Sequence, residues 1–138
     1  LFKQESMNVC IANCKNAQFK VSQKIKGVVI EKCESVAVEL ENEIVTLDMV
    51  NCKKCTVFVK DKAPLIQVEN CEEPKLILFN PCVVDKPRIM SANSTNFSVD
   101  AQQENREESD WKSIMIPYQL QTEINPDNFR ATNTLIGL

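Results

Sequence analysis

The chain is predicted to be all-β, wound as a right-handed parallel β-helix of about 19 residues and two short strands per coil, with a C-terminal extension. Three observations predict the coil. Cys14, Cys33, Cys52 and Cys71 fall one every 19 residues, preceded by Asn13, Lys32, Asn51 and Asn70. Other columns of like residues share that register: Phe19, Val38, Val57 and Leu76; Val21, Leu40, Val59 and Leu78; Ile25, Ile44, Ala63 and Cys82. Within each unit the apolar positions alternate, which is the period-2 signature of half-buried strands.

Along the chain, Val9 and Ile11 align with Val28 and Ile30, Leu47 and Met49, and Ile66 and Val68, so the register begins a part-turn before Cys14. The other strand of each unit carries Phe19/Val21, Val38/Leu40 or Val57/Val59. One corner is marked by Gln23, Asn42, Asp61 and Asn80 and the other by the column ending in Asn51 and Asn70. Asn and Asp tolerate left-handed backbone and bond to their own neighbours. Two strands and two corners make a flattened coil, and coils stack with equivalent strands in parallel about 4.8 Å apart. The preference for right-handed crossovers sets the hand. A leucine-rich repeat shares the period but follows its strand with a helical or 3₁₀ segment, whereas here the second half alternates like the first. A left-handed hexapeptide helix needs a shorter sub-period than these unequal halves allow.

Regularity is expected to fail after the fourth unit: Pro81, Pro87 and the run 91–110 lack the columns, although Phe97 and Val99 alternate as one more strand. QQENREESD at 102–110 reads as a solvated polar loop. WKSIMIP at 111–117 returns to strand character. Residues 118–138 carry too much apolar surface for a free tail and must lie on something. The expected division is a β-helix domain over 1–117 and an arm over 118–138.

A chain of 138 residues with 43% apolar content suffices for one domain with a buried core. Sixteen Lys and Arg against 19 Asp and Glu, net charge −3, leave no concentrated basic face for nucleic acid. No apolar run is long enough to span a membrane, and the first residues lack the pattern of a signal peptide. A cytoplasmic protein is expected. Because the chain starts at Leu1, it is expected to be a fragment whose open first coil is covered by a further segment.

The chain has seven cysteines and no histidine, and Cys52 and Cys55 form its one C-x-x-C, a pair short of a zinc site. Seven is an odd count for disulfides, although stacked coils bring Cys33 and Cys52 within bridging distance. The cysteine column is therefore read as small buried hydrophobes at a tight corner. The sequons at Asn93 and Asn96 matter only in a secreted protein and are read as coincidence. No cofactor is expected.

Catalysis is not expected either. Large β-helices cleave polysaccharide with acids clustered on adjacent coils, but Glu39, Glu41, Asp48 and Glu69 make no pair within a groove. There is no Ser/His or Cys/His set and no glycine-rich phosphate loop. The outward columns run Gln18, Ala37, Thr56, Lys75; Lys20, Glu39, Phe58, Ile77; and Ser22, Glu41, Lys60, Phe79. Phe58, Ile77 and Phe79 should form an exposed apolar patch beside Lys53, Lys54, Lys60 and Lys75, which suits an acidic protein partner. The other reading is that the C-terminal arm, of this chain or of a partner subunit, covers these residues.

The run from Asn8 to Cys71, NCKK at 51–54, VKDKAPLI at 59–66, and WKSIMIP followed by INPDNFRAT together resemble the C-terminal domain of the cyclase-associated protein family over about four-fifths of the chain. The last two segments are similar to that domain's closing strand and its F-P-x-P-E-Q-F-K segment. The resemblance implies a right-handed β-helix that binds monomeric actin, promotes exchange of actin's bound nucleotide and dimerises by exchanging its C-terminal arm. It implies a cytoplasmic, cytoskeleton-associated protein; the candidate actin contacts, read from the outward columns, are Lys53, Lys54, Phe58, Lys60, Lys75, Ile77 and Phe79. Ile114, Ile116, Pro117, Pro126, Phe129, Arg130 and Leu135 are the candidate arm residues. An open sheet edge also invites an added strand on physical grounds alone, and exchange of identical arms gives a two-fold dimer. At 133–138 the chain has only NTLIGL where the family continues, so a shortened arm without the family's tail contact is expected. The alternative is a scaffold like the related tubulin-cofactor C domains. Their catalytic arginine finds no counterpart on the regular coils, since arginine occurs only at 88, 106 and 130.

Overall fold

Residues 19 apart become hydrogen-bonded neighbours. The computed structural model describes residues 8–102 and the strands Trp111–Ile116, Leu120–Asn125 and Arg130–Leu135. The strands are β1 (Asn8–Ala12), β2 (Gln18–Val21), β3 (Gly27–Glu31), β4 (Ala37–Leu40), β5 (Thr46–Val50), β6 (Thr56–Val59), β7 (Leu65–Glu69) and β8 (Lys75–Leu78). A helical turn α1 (Asn80–Val84) then leads to β9 (Arg88–Ala92), β10 (Phe97–Gln102), β11 (Trp111–Ile116), β12 (Leu120–Asn125) and β13 (Arg130–Leu135). Odd strands β1 to β9 stack in parallel into one sheet and even strands β2 to β10 into a second, so the chain is a parallel β-helix of five coils.

The columns read from the sequence are the register itself. Val28 lies beside Val9 and Leu47, and Val38 beside Phe19 and Val57, each 19 residues on. Val28, Leu47, Ile66, Val57 and Leu76 are all fully buried between the two sheets. With side chains of one kind stacked coil on coil, each layer of the core repeats the packing of the one before it.

The regularity expected to end after the fourth unit in fact resumes with a longer step. Ile89 pairs with Ile66 and Val99 with Leu76, both 23 residues on. The four additional residues all enter at one corner, which spans 79–87 where its predecessors span 22–26, 41–45 and 60–64. They are wound into α1, with Pro81 in its first turn, where a missing N–H and a fixed φ cost nothing. Cys82 and Val83 point into the core and continue the column of Ile25, Ile44 and Ala63.

The two corners solve the backbone problem differently. At the cysteine corner two residues per coil are left-handed: Asn13, Lys32, Asn51, Asn70 and Asn93 at φ 52–56°, and Asn16, Ser35, Lys54, Glu73 and Asn96 at φ 51–54°. Asn93 and Asn96 are thus corner residues of the fifth coil. The Gln23, Asn42, Asp61 and Asn80 corner was also expected to use left-handed backbone, and none of these four has a positive φ. Two of them, Asn42 and Asp61, use their side chains in backbone hydrogen bonds instead. The Asn42 amide donates to the Ser22 carbonyl one coil back, and Asp61 accepts from the Lys62 N–H.

The cysteine column has a polar function as well as an apolar one. Each corner thiol lies near the carbonyl two residues before it, at 3.3 Å for Cys14, Cys33, Cys52 and Cys71. Cys33, Cys52 and Cys71 also approach the carbonyls of Ile11, Ile30 and Met49 on the preceding coil at 3.4–3.5 Å. In the fifth coil Ser94 takes the place of cysteine, donating to the Ala92 carbonyl and accepting from the Cys71 N–H, both at 3.2 Å. A small side chain with a weak donor fits the corner, adding a second contact to the Glu31, Val50 and Glu69 carbonyls, which already accept the N–H of Asn13, Lys32 and Asn51.

The closing strands reverse direction. β11 pairs antiparallel with β10, bringing Ile114 opposite Val99 and half-buried against the core. On the other sheet β12 pairs antiparallel with β9, and β13 with β12. The apolar segment after residue 117 therefore adds strands to the odd-numbered sheet. Of the expected arm residues, Ile116 sits opposite Phe97 in β11, while Arg130 and Leu135 bound β13 opposite Asn125 and Leu120. Pro117, Pro126 and Phe129 lie outside the described residues, as does 103–110 of the expected polar loop.

Three measurements test this packing. Lys32 occupies a left-handed position that its column otherwise gives to Asn, so Lys32→Asn should raise unfolding free energy by about 0.5–1 kcal/mol in urea titrations. Ser91 continues the core column of Ile11, Ile30, Met49 and Val68, fully buried, and its hydroxyl has no hydrogen-bond partner. Ser91→Ala should stabilise by about 1 kcal/mol by the same assay. In thiol titration of the native protein Cys10 should react at once, Cys14 more slowly, and the five buried cysteines only on unfolding. Burial holds the Cys82 thiol up at about 12, so its thiolate is scarce at assay pH.

Candidate partner-binding face

The outward side chains of the even-numbered sheet form three rows that continue onto the closing strand β11. The first runs Gln18, Ala37, Thr56, Lys75, Ser98 and Met115, and the second Lys20, Glu39, Phe58, Ile77, Asp100 and Ser113. The third row, just past the strand ends, has Glu41, Lys60 and Phe79 bonded back to Val21, Leu40 and Val59, then Gln102 opposite Trp111. Period-2 alternation alone puts these residues outside, because their chain neighbours fill the core.

Phe58, Ile77 and Phe79 lie together on this face as the columns require, but half-buried and not as an open patch. Phe79 is covered edge-on by Trp111, ring centroids 5.1 Å apart and planes at 89°. The Lys60 ammonium also stands over the Phe79 ring, 5.6 Å from its centroid. The cover on Phe79 thus comes from β11. The arm strands β12 and β13 belong to the odd-numbered sheet and leave this face alone.

The lysines are paired with acids on adjacent coils. Lys60 bonds Glu39, Lys20 bonds Glu41 at 2.7 Å, and Lys75 meets Asp100 at 3.3 Å. The hydrogen bond with Glu41 raises the Lys20 pKa, and the same bond holds the Glu41 carboxyl below its ordinary range. Lys53 belongs to the corner ladder Lys15, Glu34, Lys53, Glu72, Thr95, with Glu72 at 3.9 Å, and Lys54 follows it at the left-handed corner position. The face therefore presents Lys20, Lys60 and Lys75 against Glu39, Glu41 and Asp100, with no net charge. Beside Phe58, where Ala37 leaves space, is a shallow hollow of about 430 Å³.

The members of this face that the sequence reading missed lie on its last two strands: Ser98, Asp100 and Gln102 on β10, and Trp111, Ser113 and Met115 on β11. The signal was present in WKSIMIP, whose alternation sends Trp111, Ser113 and Met115 to the side opposite Ile114. Met115 is 61% exposed, and the Ser113 hydroxyl donates to Asp100 at 2.6 Å. The opposite face differs: Val29, Asp48 and Gln67 stand side by side on β3, β5 and β7, and burial pushes the Asp48 carboxyl up. Among the described residues no three of Cys, Asp and Glu are placed to hold a metal. No helix there is long and apolar enough to cross a membrane.

The family described as adenylate cyclase associated (CAP) C terminal matches residues 3–135. Among solved structures, the crystal structure of cyclase-associated protein from Cryptosporidium parvum superimposes with a TM-score of 0.68 at 19% identity, covering 94% of this chain and 83% of that one. No curated protein sequence matches the chain.

Asp48 offers a pH test. Its folded pKa is raised above the unfolded value, so it favours the folded state most at acid pH and that contribution is lost as pH rises through the folded pKa. Asp48→Asn should therefore be more stable than the parent at neutral pH, with the gap closing below the ordinary Asp range. Urea titrations at neutral and acid pH measure it.

Proposed function

Because the chain belongs to the family of C-terminal domains of adenylate cyclase-associated (CAP) proteins, we propose that it binds monomeric actin and promotes exchange of actin's bound nucleotide. The family match over nearly the whole chain carries this reading. The outward face of the even-numbered sheet supports it as the contact, with an apolar centre at Phe58, Ile77 and Phe79 and lysines 53, 54, 60 and 75 around it. A flat surface with a desolvated centre and a charged rim is what a specific protein contact requires. Exchange needs no covalent chemistry here. A domain that binds an open conformer of actin more tightly than the closed one shifts the population toward nucleotide release.

The proposed arm is 118–138, within which β12 and β13 lie at the edge of the odd-numbered sheet. The β9–β12 ladder covers only Gln121 to Glu123 against Met90 to Arg88, and a second copy of the chain can supply the same strand. Exchange of that segment yields a two-fold dimer. The proposed setting is cytoplasmic and cytoskeleton-associated.

Release of labelled nucleotide from actin monomers should accelerate on adding the domain; an unchanged rate overturns the exchange reading. Lys53→Glu with Lys54→Glu should weaken monomer binding about fivefold, chiefly by slowing association with an acidic partner. Deleting 118–138 should give monomers or aggregates by light scattering, whereas a dimer of normal size rules out arm exchange.

A further inference from the structure

Resting on the actin reading, we infer that Trp111 is the anchor of the partner face, and that the lysines around it steer the partner without holding it. Phe58 and Ile77 are paired neighbours on β6 and β8 in one outward row. Phe79 follows in the next row, and Trp111 extends the ridge by 5.1 Å onto the antiparallel strand. Met115, exposed two register positions beyond Ser113, carries apolar surface along the same strand. The ridge crosses from the parallel coils to β11 at the Phe79–Trp111 contact, and the Ser113–Asp100 pair separates Met115 from it.

The ring pair is already assembled. Phe79 is in contact with both Trp111 and the Lys60 ammonium, so a partner that docks there freezes few rotamers that were free before. Half-buried tryptophans at the centre of an apolar contact carry a disproportionate share of binding energy. The charges on this face are already spent on one another through Lys60–Glu39, Lys20–Glu41 and Lys75–Asp100. Holding a partner by salt bridges means breaking these pairs first, whereas covering the ridge leaves them in place. The occupant is the actin monomer, seated with an apolar patch over Trp111. Lys54, in no ion pair with a described residue, lies at the flanking corner for an acidic rim.

The test measures affinity for actin monomers with the full chain, its Trp111→Ala and Trp111→Phe variants, and the parent at two salt concentrations. Trp111→Ala should weaken binding by about tenfold or more, Trp111→Phe by about threefold or less. The parent's dissociation constant should change less than about threefold between low and moderate salt. Binding of Trp111→Ala within about twofold of a parent that does bind overturns the inference and leaves the actin reading standing. A parent that fails to bind actin overturns that reading instead. Since the alanine variant can loosen β11, the chain labelled with 5-fluorotryptophan at its single tryptophan gives a second readout. Its fluorine resonance should move on saturation with actin, and an unmoved resonance in the bound protein rules the anchor out.

Discussion

The fixed step between coils is the constraint on which the structure depends. Parallel pairing of each strand with its equivalent one coil on satisfies the backbone and stacks like side chains in the same operation. Val28 on Leu47 on Ile66, and Val38 on Val57 on Leu76, are what a strict 19-residue spacing makes inevitable. A slip of one residue sends the whole apolar set outward and the charged set into the core. The cysteine corner guards against this, because its left-handed pair and its thiol-to-carbonyl contacts define where each coil must turn.

The same step builds the outer face. Residues distant in sequence become rows with fixed neighbours, so the charge of one coil is answered by that of the next. Lys60 to Glu39 and Lys20 to Glu41 are diagonal pairs, each 21 residues apart. Such exposed pairs contribute little to stability, but they cancel the field that a row of lysines otherwise projects. The face is left with shape and apolar surface as its distinguishing properties.

Legibility in the sequence followed the physics of each element. Period and alternation are properties of the ladder, so both sheets and their register through Leu78 could be read directly. The fifth coil was harder, because α1 changes the spacing and Ser94 replaces the cysteine marker while doing the same hydrogen bonding. Columns show which residues face outward but not how far a side chain leans along the sheet. The apolar cluster was therefore legible, whereas the pairing of its lysines and the edge-on cover of Phe79 were not. Trp111 escaped notice because an antiparallel strand joins a face with no repeat to mark it. The CAP resemblance came from short motifs, and the family match over 3–135 established it.

The contrast between the two corners bears on how such a chain can change length. At one bend the turn is tied by two left-handed residues and a stacked side-chain contact, so an added residue there breaks bonds on both neighbouring layers. At the other bend four extra residues have been absorbed as a helical turn, and the next layer resumes its alignment undisturbed. Evolutionary insertions and engineered grafts thus have one permissive side of the solenoid, the one that α1 already uses.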